Sequence, residues 1–393
     1  MWRSGTGAAV PLVATQRLCG CLALRGRPAA PGRRAPRPPG RVADAAGAGR
    51  SQRRSQCSRA QGLGAQGGEE FPLIDCGPLF SRRGSDAEVA RAITIGTMRD
   101  ALERRGFFYA AGVRPLPAEY IAEVYEYARK AHALPAAVKA AWVRPRGTYS
   151  GADVGDPELA YEKGTTSSAR SWDYQRAQTA PYGYPAEDVL APSFTSFLDA
   201  LYCKQDELSR ALFVAIAEMF GLEADTFSKH CAGDMGTIRL MYYPGFVEGE
   251  RADAGITAHT DFEALTLMHQ DAPGLQLIPR DTGTWVDAPV RPGEFIVIVG
   301  DVLERWTNGA LRATPHRVVQ TLHPRSSIIR FLAVHPETLI EPLPLFVSEA
   351  CPRRYTPVTM RRHMETTLQQ LEQGGGAWDV ERNVSLTATR EYT

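Results

Sequence analysis

From Asp234 onward the chain is a succession of short apolar runs, each closed by a turn signal. The runs Thr237–Tyr243, Ala264–His269, Gly274–Ile278, Phe295–Val299, His316–Val319 and Ser327–Val334 read as strands. Pro273-Gly274, Asp281-Thr282-Gly283 and Asn308-Gly309 supply turns between them. Strands this short, at this spacing, favour a closed or sandwiched antiparallel sheet over βαβ units.

Upstream the period lengthens. Phe71–Asp75 reads as an opening strand, residues 87–105 as a helix with Ile93, Met98 and Leu102 on its buried side, and Gly106 as its end. Phe107-Phe108-Tyr109-Ala110 reads as a second strand and 118–133 as a second helix, entered through Pro117. Residues 141–192 are irregular, and a long helix covers about 193–220, ending at Gly221. A short helical turn over Ala224–His230 and a last helix over 358–372 complete the elements. The Gly374–Gly376 run announces a flexible tail, 374–393. The expected organisation is a mostly helical part, 69–232, followed by a β core with its C-terminal helix, 233–373.

Charge divides the chain differently. Residues 1–68 hold 12 Arg, no Lys and one acid, Asp44, for a net +11, which leaves 33 basic and 43 acidic residues beyond them. A folded part at −10 argues against a whole-protein nucleic-acid binder. The Arg/Ala/Pro-rich segment 1–68 reads as disordered, with the acid-poor character of an organellar transit peptide; an undirected disordered tail has the same composition. A mitochondrial or plastid location is expected if it is a transit peptide, and a cytoplasmic one otherwise. No stretch approaches the length of a membrane span. The seven cysteines are too scattered for a disulfide framework or a Cys-based metal motif.

His259-Thr260-Asp261 sets two metal-ligand types two residues apart, on one face of an extended strand. His316, at the start of another strand, is the best candidate for a third ligand. Two imidazoles and a carboxylate on one face leave about three positions of an octahedral iron open. Glu263 keeps the same parity and is an alternative carboxylate, while His269, His323 and His335 need no special role.

Residues 71–370 resemble the isopenicillin N synthase-like branch of the non-haem iron, 2-oxoglutarate-dependent dioxygenases. The resemblance is carried by Phe71–Asp75, Gly106-Phe107-Phe108-Tyr109, Gly255-Ile256-Thr257-Ala258-His259-Thr260-Asp261, Gly300-Asp301, Thr307-Asn308-Gly309 and Pro315-His316-Arg317-Val318, in that order. It implies a mainly β fold with flanking α-helices, built on a distorted double-stranded β-helix (jelly-roll) core. It also implies Fe(II) on His259, Asp261 and His316, with 2-oxoglutarate and O2 as cosubstrates.

The family's Arg-x-Ser motif falls on Arg325-Ser326-Ser327, so Arg325 and Ser327 are implied to hold the distal carboxylate of 2-oxoglutarate. Tyr243 matches a tyrosine that contacts the same carboxylate, although Met241 replaces the Asn common before this Tyr-Tyr-Pro element. Asn308-Gly309 is a natural tight-turn pair with a structural role. Tyr149, Trp172, Tyr174, Met241, Phe262, Trp306 and Phe331 are candidates for the substrate pocket.

The implied reaction hydroxylates, desaturates or cyclises a small organic metabolite, in secondary metabolism, with release of succinate and CO2. The implied protein is a monomer or weak homodimer. An iron oxidase that does not use 2-oxoglutarate and a non-catalytic metal- or metabolite-binding protein are the alternatives.

Overall fold

The computed structural model describes residues 71–81, 84–143, 151–153, 169–176, 190–231, 236–246, 255–373, 377–379 and 384–392. The Arg-rich segment 1–68 and Tyr149 lie outside the described residues. An eight-stranded sheet forms the larger layer. In spatial order it runs β1 (Leu73–Asp75), β2 (Phe107–Ala111), β10 (Phe295–Val299), β7 (Leu265–Gln270), β12 (Arg325–Leu332), β5 (Ile238–Tyr243), β4 (Arg170–Tyr174) and β3 (Gly151–Asp153). All neighbours are antiparallel except β1 and β2. The parts expected on either side of residue 232 therefore share one sheet.

A four-stranded sheet, β6 (Ile256–His259), β11 (His316–Val318), β8 (Leu275–Leu277) and β9 (Val286–Asp287), forms the second layer. Two small ladders follow, β13 (Leu339–Ile340) with β14 (Val358–Thr359) and β15 (Trp378–Asp379) with β16 (Val384–Ser385). The two main layers make the distorted jelly roll that the sequence implies.

Strand alternation decides what each layer faces. Tyr109, Met241, Tyr243, Met268, Ile296, Ile298 and Ile329 of the large sheet meet Leu275, Leu277 and Val318 of the small one in a single apolar cluster. The opposite parity, including Phe108, Ala110, Leu240, Leu265, Leu267, Val297 and Ile328, joins a separate core with the helices. Side chains two apart share a face, so one sequence period builds both the barrel interior and the helical packing.

The helices are α1 (Ser85–Arg104), α2 (Ala118–His132), α3 (Ala136–Ala140), α4 (Phe194–Met219), α5 (Asp301–Trp306) and α6 (Met360–Glu372). Ser193 caps α4 by accepting from the Ser196 N–H at 3.3 Å, and the chain leaves it through Gly221 at φ 69°. The helical turn expected over 224–230 is a 3₁₀ turn, Ser228–His230. In α1 the buried face is Thr94, Met98, Ala101 and Leu102. Ile93 is 65% exposed, because five residues before Met98 it lies about 140° round the helix. Among the described residues no helix is long and apolar enough to cross a membrane.

The tail is not loose where it is described. Ala377, Ser385, Thr387 and Ala388 are buried, so a flexible segment 374–393 is corrected to one whose residues 377–379 and 384–392 are packed. Its hydroxyls find polar partners inside, which composition alone does not reveal.

Candidate active site

β6 ends on His259 and β11 begins on His316, and their antiparallel register sets the two histidines directly opposite each other. Their ring centroids are 4.3 Å apart. The chain turns after β6 and brings Asp261 back between them. Asp261 Oδ1 lies 3.7 Å from His259 Nε2 and 3.6 Å from His316 Nε2. The three residues are buried, and their donor atoms fall within 4.8 Å of one another. Among the described residues no other His, Cys, Asp or Glu group meets that condition.

Hydrogen bonds outside this cluster fix its chemistry. His259 Nδ1 bonds the Thr257 carbonyl at 2.8 Å and His316 Nδ1 bonds the Thr314 carbonyl at 3.1 Å. A carbonyl only accepts, so Nδ1 carries the proton in each ring and the Nε2 lone pairs turn toward Asp261. Thr266 Oγ1 donates to Asp261 Oδ2 at 2.5 Å, which presents Oδ1 to the histidines. Burial, then the neighbouring His316, pushes the His259 pKa down to about 3, keeping it a neutral ligand. Two imidazole nitrogens and one carboxylate oxygen fit a divalent first-row metal with an open face.

Glu263, the alternative carboxylate, lies outside the triad. Burial, then the charge of Asp261, raises its pKa to about 8, so it stays protonated near neutrality. The bend after His259 breaks the parity that made it a candidate.

A second polar group stands between the layers. Arg325, at the start of β12, is 1% exposed and pairs in register with Tyr243. Its Nη2 donates to Gln270 Oε1 at 2.9 Å, and its guanidinium carbon sits 4.5 Å from the centre of the Tyr243 ring. Arg325 Nη1, Ser327 Oγ and Tyr243 Oη are buried and, among the described residues, have no hydrogen-bond partner. Buried orphan donors are costly, and by strand parity Arg325, Ser327 and Tyr243 share one face of the sheet, where an anionic acceptor would satisfy them.

The packing also gives their distance from the triad. A methyl group added to Gly255 would come within 3.0 Å of Val318 and 3.4 Å of the Tyr243 ring, and one on Gly274 within 3.1 Å of Arg325. Arg325 and Tyr243 therefore lie level with Val318. That level is two residues, roughly 7 Å, along β11 from His316.

A sequence profile described as the 2OG-Fe(II) oxygenase superfamily matches residues 236–334, the stretch that contains every residue of both groups. A 2-oxoglutarate-dependent dioxygenase, frbA, of Dothideomycetidae sp. is 30% identical over 270 residues, covering 60% of this chain and 79% of its own. A homoarginine-6-hydroxylase of Oryza sativa subsp. japonica is 30% identical over 294 residues, covering 70% and 88%. The chain belongs to the 2OG-Fe(II) oxygenase superfamily. A crystal structure of a 2OG-Fe(II) oxygenase family protein from Caulobacter crescentus superposes with a TM-score of 0.65 at 25% identity, over 77% of this chain and 99% of that one. A full-length Neurospora crassa protein crystallised in complex with α-ketoglutarate has the same fold, with a TM-score of 0.67 at 23% identity, over 76% and 96%. The oxygenase is a 2-oxoglutarate/Fe(II)-dependent dioxygenase of a small metabolite, with His259, Asp261 and His316 as its facial triad.

The oxygenase distributes its seven pocket candidates unevenly. Met241 and Phe331 lie with the barrel interior. Trp172 packs on Phe194, with ring centroids 5.2 Å apart, and the Tyr174 hydroxyl donates to Asp199 of α4 at 2.5 Å. Both therefore point to the helical side, because even-numbered residues of β4 face away from the barrel. Phe262 and Trp306 lie on the helical side as well. They belong to the helical core, where Trp306 meets Phe227 at 5.3 Å.

The odd parity of β4 and β5 brings in a pair that sequence reasoning missed. Arg239 Nε and Nη2 bond Asp173 Oδ1 and Oδ2, each at 2.8 Å, and the guanidinium lies 5.3 Å from the Phe331 ring centre. Counting back by twos from Tyr243 would have found Arg239. Nothing in the sequence links it to Asp173, 66 residues earlier.

Proposed function

We propose that this enzyme, as a member of the isopenicillin N synthase-like branch, hydroxylates a small organic metabolite of secondary metabolism. Arg325, Ser327 and Tyr243 hold the far carboxylate of 2-oxoglutarate. The observation that carries this reading is the three orphan donors on one sheet face, with Arg325 and Tyr243 about 7 Å along the strand from His316, a span suited to a five-carbon diacid. A planar guanidinium accepts a carboxylate through two parallel bonds, and the two hydroxyls add further donors. Gln270 orients the guanidinium from behind, and Thr266 orients Asp261.

Bound Fe(II), with 2-oxoglutarate and O2, supplies the oxidising chemistry: one oxygen atom enters a substrate C–H bond, the other enters succinate, and CO2 leaves. The protein's part is to hold the target bond beside the triad and to keep water out. Desaturation or ring closure is the outcome where the substrate is held with a second C–H bond in reach. Phe331 pairs with Thr266 and Arg239 pairs with Ile329, which sets Arg239 two strands across and two residues along, roughly 12 Å, from the residue that orients Asp261. Met241, Phe331 and the Arg239–Asp173 pair thus form the wall that a small substrate meets. The rice relative is named for hydroxylation of homoarginine, and the Neurospora crassa protein has been crystallised with thymine.

The test is anaerobic loading of the full chain with Fe(II) and 2-oxoglutarate, then oxygen exposure across a panel of small metabolites. Succinate formed together with a product heavier by one oxygen atom is expected. A product lighter by two hydrogens would indicate desaturation or cyclisation. Absence of substrate-stimulated succinate across the panel, from protein that binds the metal, would count against the reading. In the same assay, Arg325→Ala should raise the 2-oxoglutarate requirement while His259→Ala abolishes turnover. We propose also that residues 1–68 direct the chain to an organelle. Imaging the chain with and without them tests this, and an unchanged cytosolic distribution would refute it.

A further inference from the structure

We propose that Ser385 and Tyr392, in the last residues of the chain, are positioning residues for the metal ligand Asp261. Asp261 lies on the loop between β6 and β7, and the residues on both sides of it are tied to the C-terminal segment.

On one side, Thr260 is 1% exposed, with its hydroxyl 2.9 Å from Asp301 Oδ1 and 2.6 Å from Ser385 Oγ. Ser385 Oγ also accepts the Thr387 and Ala388 N–H groups, at 3.2 and 3.1 Å. A hydroxyl has one proton, so the chain of bonds has a direction. Ser385 donates to Thr260, and Thr260 donates to Asp301. Asp301 in turn donates its backbone N–H to the Asp261 carbonyl at 2.9 Å. Thr387 Oγ1, 3.3 Å from Thr260 and 3.0 Å from Ser385, closes the cluster.

On the other side, His363 Nε2 bonds the Phe262 carbonyl at 3.0 Å, so Nε2 carries the proton. Its Nδ1 accepts from the Tyr392 hydroxyl at 2.5 Å. The segment itself is pinned independently: Arg305 donates to the carbonyls of Ala388 and Arg390, and the Tyr392 N–H donates to Thr356 Oγ1.

Two relays thus run from the C-terminal segment to residues 260 and 262, the two chain neighbours of Asp261. Groups that orient a metal ligand typically contribute 10- to 100-fold to metal affinity. A segment that merely completed the fold would contribute to stability alone.

The test uses the full chain and Mn(II) as the probe, with the dissociation constant measured under anaerobic conditions beside the unfolding midpoint of the metal-free protein. Ser385→Ala and Tyr392→Phe are each expected to weaken Mn(II) binding about 10-fold. Ser385→Thr, which keeps the hydroxyl, is expected to restore it. Thr389→Ala, an exposed neighbour whose hydroxyl, among the described residues, bonds only the Ser385 carbonyl, is expected to leave the constant unchanged. Wild-type Mn(II) affinity in both Ser385→Ala and Tyr392→Phe would overturn the proposal, whatever their midpoints. Should Ser385→Ala fail to fold, Tyr392→Phe, whose ring is retained, decides alone.

Discussion

Replacing Arg325 by Met separates the role of this side chain in the fold from its role toward 2-oxoglutarate. Arg325 is 1% exposed and, among the described residues, its guanidinium has no carboxylate within ion-pair distance. Its compensation is the bond to Gln270 Oε1, a long bond of 3.4 Å to the Ala272 carbonyl, and the Tyr243 ring. A buried cation without a counter-ion costs several kcal/mol, of which the ring returns about 1–2. Met removes that cost and leaves Gln270 Oε1 without its donor, a loss of about 1–2 kcal/mol. Metal-loaded Arg325→Met without cosubstrate should therefore be as stable as wild type, or more stable by about 1–2 kcal/mol.

With 2-oxoglutarate the comparison reverses. At 100 times its dissociation constant a ligand stabilises wild type by about 2.7 kcal/mol. Removing one partner of a buried charge pair costs about 3–5 kcal/mol, so the variant should retain about 0.3 kcal/mol or less at the same concentration. Chemical unfolding of the Mn(II)-loaded protein with and without 2-oxoglutarate, under anaerobic conditions, measures both numbers. Equal stabilisation of wild type and Arg325→Met would refute the assignment of Arg325 to the cosubstrate.

Three further outcomes follow from the same geometry. Thr266→Val should weaken Mn(II) binding about 10- to 100-fold, because Asp261 Oδ2 loses its donor, while Thr266→Ser keeps it; a titration distinguishes them. Asn308→Ala should destabilise the fold by about 3–4 kcal/mol in denaturant melts. Asn308 holds φ 51°, and its amide bonds Phe346, Pro352 and Arg354, so a cost below about 1 kcal/mol would contradict that role. The metal-free protein should be most stable near pH 6.5. Burial lowers His132 and His269 to about 4 and His259 and His363 to about 3, so their contribution is complete above the unfolded value of 6.5 and is lost as pH falls toward 4. Burial raises Glu263 and Asp301 to about 8, so theirs is lost as pH rises toward 8. Four histidines outweigh two acids below pH 6.5, and above it only the acids titrate. A stability that climbed steadily from pH 6.5 to 8 in chelator-treated protein would contradict this balance.

What was legible in the sequence was what repeats at short range. The strand Phe295–Val299 is found where its five apolar residues place it, and Asn308-Gly309 turns as its composition requires. The triad was readable because each histidine sits at a strand end inside an ordered motif. Pocket residues were harder, since an aromatic ring looks the same on either face of a sheet. Trp172 and Tyr174 fall on the helical face by parity, and that parity becomes visible only once β4 is registered against β5. The tail was misread because a Gly run and polar residues suggest solvent, whereas Ser385 and Thr387 are buried against Thr260, about 125 residues away. Burial of polar groups depends on partners, and partners distant in sequence carry no local signal.

Three side chains converge on one site for a metal ion. An anomalous-difference map from crystals of the full chain soaked anaerobically in Fe(II) tests it most directly. One peak bonded by His259 Nε2, His316 Nε2 and Asp261 Oδ1 is expected. A peak held by other residues, or none among these three, would contradict the account.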